Sequence, residues 1–399
     1  MLVRQLKSLI TSRIRFLLFK IIYPGFYYLC RIKKIKYNKV VFVEVRNISL
    51  SDSMSLLYCN ITKDKNLKVN VHSFRDLETS RIIKVFLSLK ILYFISDARV
   101  IFLSDTAPVL SACNIRHESK IIQVWHGCGA FKKFGYSTGD LLFGDNKENQ
   151  IKYPGHRNYS LVTVSSQEVV DKFAEAMQIK EDSGIIKPIG VSRTDVFFDE
   201  TFVNKAFTKL HSLIPMAENK KIILYAPTFR GRVASAEAPD KMDFNILKRF
   251  LGDDYIVLVK YHPFIKNRPV IPSNTKNFAL DVTDLLSIED LICISDVCIT
   301  DYSSLVLEYS LFEKPIIFFA YDIDDYLDWR GFYYEYETFV PGPIVKDNME
   351  LINAVKNSTN NFNKTKIVNF KNKYMNACDG HSTDRILKIF NGYIKDREG

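Results

Sequence analysis

The amino-acid sequence predicts an α/β protein in which two doubly wound domains follow one another and enclose a cleft. Three observations favour this fold class. The chain has 399 residues, more than one hydrophobic core usually organises. Its composition, 47% hydrophobic and 25% charged, is that of a globular protein. Short β-branched and aromatic runs alternate with helix-compatible stretches, which is typical of a mainly parallel sheet covered on both faces.

The predicted strands fall into two series, separated by a polar, proline-bearing segment at residues 204–219. We therefore expect a first domain at 37–205 and a second at 206–399. Apolar residues recur at helical spacing within 383–394, which predicts that a closing helix ends the second domain. The first series comprises 40–45, 69–74, 98–103, 120–125 and 161–164, and the second comprises 222–226, 255–260, 297–300 and 315–319.

The N-terminal segment, residues 1–36, has nine Lys or Arg and no acidic residue, interleaved with Leu, Ile and Phe. This pattern predicts an amphipathic helix that lies on an anionic membrane surface. Lys20, Pro24 and Gly25 interrupt its apolar stretch, which is therefore shorter than a spanning helix requires. The segment also lacks the small-residue cleavage site of a signal peptide. The alternative is a basic helix packed on the body of the protein.

The net charge of +10 suits nucleic acid, anionic lipid or a phosphate-rich substrate, and charge alone does not choose among them. The seven cysteines are odd in number and form no C-x-x-C pair, which argues against a zinc knuckle and against a disulfide framework. We expect reduced, mostly buried thiols in a cytosolic protein. A Walker-type NTPase is excluded because G-x-x-x-x-G-K-[ST] does not occur.

Polar residues that directly follow predicted strands are the first candidates for chemistry, because ligands of open α/β sheets bind beyond the carboxyl ends of the strands. His126 and Gly127 follow the strand that begins at residue 120, and Lys132 and Lys133 lie in the same glycine-bearing turn. A histidine there can be a general base, since its ordinary pKa lies near neutral pH. The alternative is a histidine that only caps a loop.

Two further pairs follow strands of the second series. Thr228 and Arg230 come directly after 222–226, and the planar fork of an arginine suits a diphosphate. An exposed loop arginine is the alternative. Lys260 and His262 stand at the end of the next strand, two positions apart around Tyr261, and we expect one of them to face the cleft.

The most informative strand end is ITDYSSLVLEY, where Asp301, Ser303 and Ser304 precede a helix-compatible run. A serine there can cap the helix, whose free amides can receive a phosphate. The alternative is a purely structural cap. Glu308 lies on the same helical face as Ser304, where it can reach a ribose hydroxyl or pair with a neighbouring cation.

The acidic segment YDIDDY offers Asp322 and Asp324 as metal ligands. Carboxylates two positions apart are common in polar loops, and no histidine or third ligand is near them in the sequence. We therefore predict no metal site.

These motifs occur in an order that resembles the CDP-glycerol glycerophosphotransferase family of teichoic acid and capsule polymer synthesis. The resemblance covers residues 40–390, and the block from TDYSS to PGP is its most specific part. The matching pieces are WHGCGAFKKFG, YAPTFRG, VKYHP, SDVCITDYSSLVLEYSLFEKPIIFFAYDIDDY, RGFYYEYETFVPGPIV and DGHSTDRI. Many family members follow the His-Gly pair with Thr-Pro-Leu-Lys, whereas this chain has Cys-Gly-Ala-Phe-Lys, a version more similar to a ribitol-phosphate and capsule subgroup. The polyol, glycerol or ribitol, is left open.

The resemblance implies two Rossmann-like domains in the GT-B arrangement, with the nucleotide held mainly by the second. It implies transfer of glycerol phosphate or ribitol phosphate from CDP-glycerol or CDP-ribitol to a hydroxyl of a teichoic acid or capsular polysaccharide, with release of CMP. His126 is then the expected base, Asp301 is expected to orient or support the donor-phosphate contacts, and Lys132 and Lys133 are expected to contact the acceptor or a phosphate. The expected donor contacts are Gly127, Thr228, Arg230, His262, Ser303, Ser304 and Glu308.

The same resemblance implies no tightly bound cofactor, although a divalent cation that arrives with the donor could assist the reaction. The expected partners are the CDP-polyol, a lipid-linked or polysaccharide acceptor and an anionic membrane surface, but not nucleic acid. This places the enzyme at the cytoplasmic face of a bacterial cell membrane. Two alternatives stay open: a GT-B glycosyltransferase that uses a sugar nucleotide, and a non-catalytic basic protein that binds a membrane or polymer.

Overall fold

The computed structural model of the protein describes residues 10–75, 80–139, 141, 144–232, 235–324, 326, 331–360 and 362–396. Within these residues the strands form two six-stranded sheets, and the strand pairs of both sheets are parallel. Alternate residues of the strand Lys36–Glu44 belong to different hydrophobic cores. Val41 and Val43 pack in one core, and Val40 and Phe42 pack in another. A strand buried on both faces is expected when helices cover both faces of a parallel sheet. The predicted fold class, two doubly wound α/β domains, is confirmed.

The first sheet has the order β2-β1-β3-β4-β5-β6, which places β3 and β4 side by side in its middle. All the residues of β3 are buried, including Arg99, the one charged residue of an otherwise apolar strand. The strands are β1 (Lys36–Glu44), β2 (Lys68–Ser73), β3 (Ala98–Leu103), β4 (Lys120–Gln123), β5 (Tyr159–Thr163) and β6 (Ile186–Lys187).

The second sheet has the order β12-β11-β10-β7-β8-β9, so that β10 and β7 are its central neighbours. The predicted strands of both series are present, with ends shifted by a few residues at most. The strands are β7 (Lys221–Tyr225), β8 (Tyr255–Val259), β9 (Ala279–Asp281), β10 (Val297–Thr300), β11 (Ile316–Phe319) and β12 (Ile344–Val345).

Helices connect the strands along the chain. Those before residue 214 are Tyr23–Cys30, Asp52–Ile61, Arg81–Ile95, Pro108–Ser111, Lys147–Lys152, Val170–Met177 and Glu200–Leu213. Those after it are Phe244–Leu251, Ile288–Ile294, Leu305–Tyr309, Tyr336–Phe339, Asn348–Asn360, Lys364–Tyr374 and Ser382–Lys395.

The helix Ser382–Lys395 packs on the first sheet, although it ends the chain. Phe390 lies 5.8 Å from Phe102 of β3, measured between ring centroids, and the buried Arg99 donates to the carbonyl of Tyr393 at 2.6 Å. The predicted closing helix is therefore present, but the predicted second domain, 206–399, includes a helix that contributes to the core of the first.

The predicted boundary between residues 205 and 206 falls inside the helix Glu200–Leu213. This helix packs on Ile288–Ile294 of the second domain, and Lys209 Nζ lies 2.8 Å from Asp290 Oδ2. The polar residues that suggested a boundary lie at exposed positions of this helix and do not interrupt it. One continuous helix therefore links the two domains.

The N-terminal segment is helical from Ile10, where the described residues begin. Residues 10–16 continue into the π-helical turn Leu17–Ile22 and the helix Tyr23–Cys30. The part of the predicted membrane segment before Ile10 lies outside the described residues. In the described ranges, no helix has the length and apolar character needed to cross a bilayer. Five of the seven cysteines are buried, which confirms the prediction for most of the thiols.

Candidate active site

His126 lies where two neighbouring strands of the first sheet end. Because Gln123 of β4 pairs with Leu103 of β3, the residues after both strands meet. His126 Nδ1 lies 3.2 Å from the carbonyl oxygen of Ser104 and 3.6 Å from Asp105 Oδ2. A carbonyl only accepts hydrogen bonds, so Nδ1 carries the proton of the neutral ring. Nε2 is then the atom that can accept a proton.

The surroundings of His126 keep it neutral. Partial burial lowers the pKa of His126, while the carboxylate of Asp105 opposes this effect and the guanidinium of Arg46 adds to it. Arg46 also pairs with Asp105. A neutral imidazole at neutral pH is the form that a general base requires.

The backbone that carries His126 is strained. Trp125 has a φ of 57°, a left-handed conformation that is a genuine outlier for a bulky side chain. Its N–H donates to Gln123 Oε1 at 3.0 Å, and its ring lies 4.6 Å from the ring of His126. Such strain persists only where surrounding contacts hold it, and it often marks functional sites.

Asp301 organises the strand ends of the second sheet. It follows β10 and is 2% exposed. Its Oδ1 accepts from the N–H and the hydroxyl of Thr228 at 2.9 and 2.8 Å, and its Oδ2 accepts from Arg230 Nη1 at 2.9 Å. Because β7 and β10 are neighbours, Asp301 fixes the loop after β7 against its own loop.

Arg230 uses its guanidinium on protein groups. It donates through Nε and Nη2 to Asp322 at 2.5 and 2.9 Å, besides its bond to Asp301. Tyr302 adds a hydrogen bond from its hydroxyl to Asp322 at 2.9 Å. The contact of Arg230 with a donor phosphate stays a prediction; the structure shows Arg230 as a bridge between two carboxylates.

Asp322 therefore pairs with an arginine, which explains its place in the acidic segment without a metal ion. Asp324 does not take part in the ion pair between Asp322 and Arg230. Across the part of the chain that the structure describes, no group of three His, Cys, Asp or Glu side chains is arranged to hold a metal ion.

Ser303 and Ser304 lie at the start of the helix Leu305–Tyr309, as predicted. Ser303 Oγ accepts from the N–H of Leu305 at 3.2 Å, which is a capping contact. Ser304 is exposed, and its side chain makes no capping hydrogen bond. One serine thus supports the turn, and the other faces solvent, where a donor phosphate could bind.

Glu308 is buried on the same helix and faces the first domain. Its Oε1 lies 3.9 Å from Cys128 Sγ and 3.1 Å from Arg193 Nε. Burial raises the pKa of Glu308, while Arg193 opposes that rise. Of the two possibilities that the sequence left open, pairing with a cation is present in the structure, and contact with a ribose stays a prediction.

His262 and Lys260 follow β8 and have different surroundings. Lys260 Nζ donates to the carbonyls of Thr283 and Leu286 at 2.7 and 2.6 Å, so it ties down a loop. His262 Nδ1 accepts from the N–H of Phe264 at 3.2 Å, which leaves the proton of the neutral ring on Nε2. The contact of His262 with a donor phosphate stays a prediction.

The loop after His126 crosses to the second domain. Gly129 packs so closely on Leu307 that an added Cβ would lie 2.6 Å from its Cδ1. Lys132 Nζ donates to the hydroxyl of Tyr326 at 2.7 Å, and the N–H of Lys133 donates to the carbonyl of Gly331 at 3.1 Å. A Cβ on Gly127 would meet no atom within 4 Å, so this glycine borders open space.

Sequence analysis missed the partners of two predicted residues. Asp105, the carboxylate beside His126, directly follows a predicted strand, so the strand-end rule that selected His126 could have found it. Asp322 was considered only as a metal ligand; it follows β11, which β10 separates from β7, the strand that Arg230 follows. Arg46 directly follows the predicted strand 40–45, so the same rule could have found it as well, and the pairing of β1 with β3 brings it near Asp105.

The sequence matches the family described as CDP-Glycerol:Poly(glycerophosphate) glycerophosphotransferase over residues 25–391. It is 36% identical to the teichoic acid poly(ribitol-phosphate) polymerase of Bacillus spizizenii, covering 90% of this chain and 56% of that protein. It is also 36% identical to the teichoic acid ribitol-phosphate primase of the same organism, covering 90% of this chain and 92% of that protein. The chain thus spans about half the polymerase and nearly all of the primase.

A similar solved structure is that of a variant of the wall teichoic acid polymerase TagF. It has a TM-score of 0.78 and 25% identity, and the match covers 98% of this chain and 96% of that chain. The two-domain arrangement seen here is therefore shared with that polymerase.

Proposed function

The chain belongs to the CDP-glycerol:poly(glycerophosphate) glycerophosphotransferase family, and from this premise we propose that it transfers a polyol phosphate from a CDP-polyol to a hydroxyl of a teichoic acid. The observation that carries the proposal is the contact between the two sets of strand ends. The His126 loop packs on the helix that follows Ser304, through Gly129 against Leu307 and Cys128 against Glu308. This packing supports the proposal that a base and a phosphate-binding turn lie on opposite sides of one cleft.

In the proposed reaction an acceptor hydroxyl loses its proton to His126 Nε2 while its oxygen attacks the phosphorus that bears the polyol. A new P–O bond forms, the bond to the CMP oxygen breaks, and CMP leaves with the electron pair. The proton on His126 then passes to water. Phosphoryl transfer needs positioning and charge stabilisation more than covalent help. His262 Nε2 and the amides beyond Ser303 would stabilise the charge on the leaving CMP.

Asp301 and Arg230 support the reaction by holding the donor loops, since their polar groups bond to each other, to Thr228 and to Asp322. We propose no tightly bound cofactor. A divalent cation would accompany the diphosphate of the donor rather than occupy a protein cage.

For the polyol we propose ribitol. Both relatives described above act on ribitol phosphate by name, and one of them matches this chain over nearly its whole length. A teichoic acid acceptor follows from the same relatives.

The test is a comparison of donors with the full chain and a short polyol-phosphate acceptor. CMP release and growth of the acceptor by one or more ribitol-phosphate units are expected with CDP-ribitol, and weaker turnover with CDP-glycerol. UDP release from a UDP-sugar would instead support a glycosyltransferase. Salt-sensitive polymer binding without release of any nucleotide would support a non-catalytic protein.

We also propose that the enzyme works on an anionic membrane surface at the cytoplasmic side. The N-terminal helical segment lies beside Arg81–Ile95, and the two form an apolar groove of about 670 Å³ lined by Ile14, Leu18, Phe19, Ile82, Val85, Phe86 and Leu89. Ile82 is 83% exposed and Phe86 is 65% exposed. The same two helical segments carry exposed cations: Arg13, Lys20, Arg81, Lys84 and Lys90.

The same segment is also packed on the protein body, the alternative that the sequence left open. Tyr23 and Tyr27 are 3% and 1% exposed, so one face of the helix belongs to the core. A deletion of residues 1–34 would uncover that core. The sharper test therefore replaces Ile82 and Phe86 with Asp and measures sedimentation with vesicles of phosphatidylglycerol. Loss of binding with turnover of a soluble acceptor retained is expected, and unchanged binding would reject the membrane face.

A further inference from the structure

Arg193 is a buried cation between the domains that the mechanism above does not use. It lies just after β6, in the 3₁₀ helix Ser192–Phe198, and its side chain is 13% exposed. Nη1 donates to the carbonyl of His126 at 2.9 Å, and Nη2 donates to Glu289 Oε1 at 2.5 Å. Nε lies 3.1 Å from Glu308 Oε1. Two nitrogens of the guanidinium thus donate hydrogen bonds to different partners, and Nε lies beside a carboxylate without a hydrogen bond to it.

These three partners come from different parts of the cleft. His126 belongs to the first domain, whereas Glu289 is on the helix Ile288–Ile294 and Glu308 on Leu305–Tyr309, both in the second. The second of these helices starts after Ser304, at the turn proposed for the donor phosphate. The planar fork of an arginine fixes its partners in direction as well as distance, which an ammonium group does not do.

The contact of Arg193 also lies one residue beyond a strained backbone position. The residue before His126, Trp125, has its left-handed φ of 57° and is held on one side by Gln123. The carbonyl of His126 is held on the other side by Arg193. Because such a conformation needs support from its surroundings, the two contacts together fix where the His126 ring lies.

We propose that Arg193 is a positioning residue, which sets the His126 backbone at a fixed place relative to the donor-binding helix. This inference rests on the proposed transfer reaction, in which His126 and the donor phosphate must approach within reach of one acceptor oxygen. A misplacement of about 1 Å can reduce such a rate about a hundredfold.

The charge of Arg193 has a second effect on the same histidine. The charged side chains that face His126 are Asp105, Arg46 and Arg193; the first raises the pKa of His126 and the two arginines lower it. Loss of the Arg193 charge should therefore raise the pKa of His126. This effect distinguishes a residue that acts on the base from one that only stabilises the fold.

The experiment compares Arg193→Gln and Arg193→Lys with a matched control, Lys209→Gln. Lys209 Nζ lies 2.8 Å from Asp290 Oδ2, and Asp290 is next to Glu289 on the same helix. Lys209→Gln therefore removes a nearby ion pair in which no arginine takes part. Arg193→Gln should lower kcat by roughly 10- to 100-fold, with donor Kd nearly unchanged, and should move the acid limb of the pH profile to higher pH. Arg193→Lys should lose kcat but keep the wild-type acid limb.

Lys209→Gln should keep both the wild-type kcat and the wild-type acid limb. If Arg193→Gln behaves like this control, or changes only thermal stability, the positioning role is wrong. If Arg193→Gln does not fold, Glu289→Gln tests the same fork, because it removes one anchor and keeps the cation; an unchanged kcat there also rejects the proposal. Failure of the wild type to release CMP from either CDP-polyol would reject the transfer reaction itself, a distinct outcome.

Discussion

Arg230→Met, which removes the guanidinium of Arg230, should strongly destabilise the second domain. The guanidinium makes charge-assisted hydrogen bonds of 2.5, 2.9 and 2.9 Å to Asp322 and Asp301. The side chains of these carboxylates are only 20% and 3% exposed, so the substitution leaves buried charge uncompensated. Breaking a buried pair costs about 3–5 kcal/mol. Because Tyr302 and Thr228 still donate to the two carboxylates, we expect the lower end, about 3 kcal/mol.

Urea unfolding, followed by circular dichroism, measures this loss as a shift of the midpoint. The matched control is Arg268→Met, which removes a similar fork of 2.7 and 2.9 Å from Asp284, a side chain that is 74% exposed. Solvent already screens that pair, so its removal should change the midpoint much less. A double variant, Arg230→Met with Asp322→Asn, should recover part of the loss. Equal midpoint shifts for Arg230→Met and Arg268→Met would refute the reasoning.

Two further predictions concern the His126 loop. Asp105→Asn removes the carboxylate that raises the pKa of His126, so the acid limb of kcat against pH should move to lower pH. The value of kcat should also fall about tenfold, because the ring loses its alignment. An acid limb at the wild-type position would contradict this prediction. Gly129→Ala should lower the free energy of unfolding by about 1–3 kcal/mol, because φ is +60° and the new Cβ would meet Leu307 at 2.6 Å. Gly127→Ala, whose Cβ meets nothing, is its control in thermal denaturation, and equal losses would exclude the clash.

The strands were predictable from sequence where they are long and central. Residues 98–103 and 297–300 are rich in β-branched and other apolar residues, and the structure has β3 and β10 at the same positions. The strands β6, β9 and β12 were missed. They have two or three residues and lie at sheet edges, so neither periodicity nor length distinguishes them from loop.

The candidate site was predictable to the extent that it lies at strand ends. His126, Asp301 and Ser303 were selected by this rule, and the structure places each beside a neighbouring strand end. The sequence does not show which side chains these residues contact. Arg193 follows the missed strand β6 and reaches the site only through tertiary packing, and Arg230 was expected to bind a ligand because its carboxylate partners lie 71 and 92 positions away.

The assignment of His126 as the base is tested most directly by measuring the chemical step and donor binding separately in His126→Ala. Single-turnover release of CMP from CDP-ribitol, together with the Kd of the donor by titration calorimetry, measures both quantities on one protein. We predict an almost unchanged Kd, because the donor contacts come from the second domain, and a chemical step slower by roughly two to four orders of magnitude, the usual contribution of a positioned general base. Near-normal release of CMP by His126→Ala, or a loss that lies wholly in donor affinity, would contradict the assignment of His126 as the base.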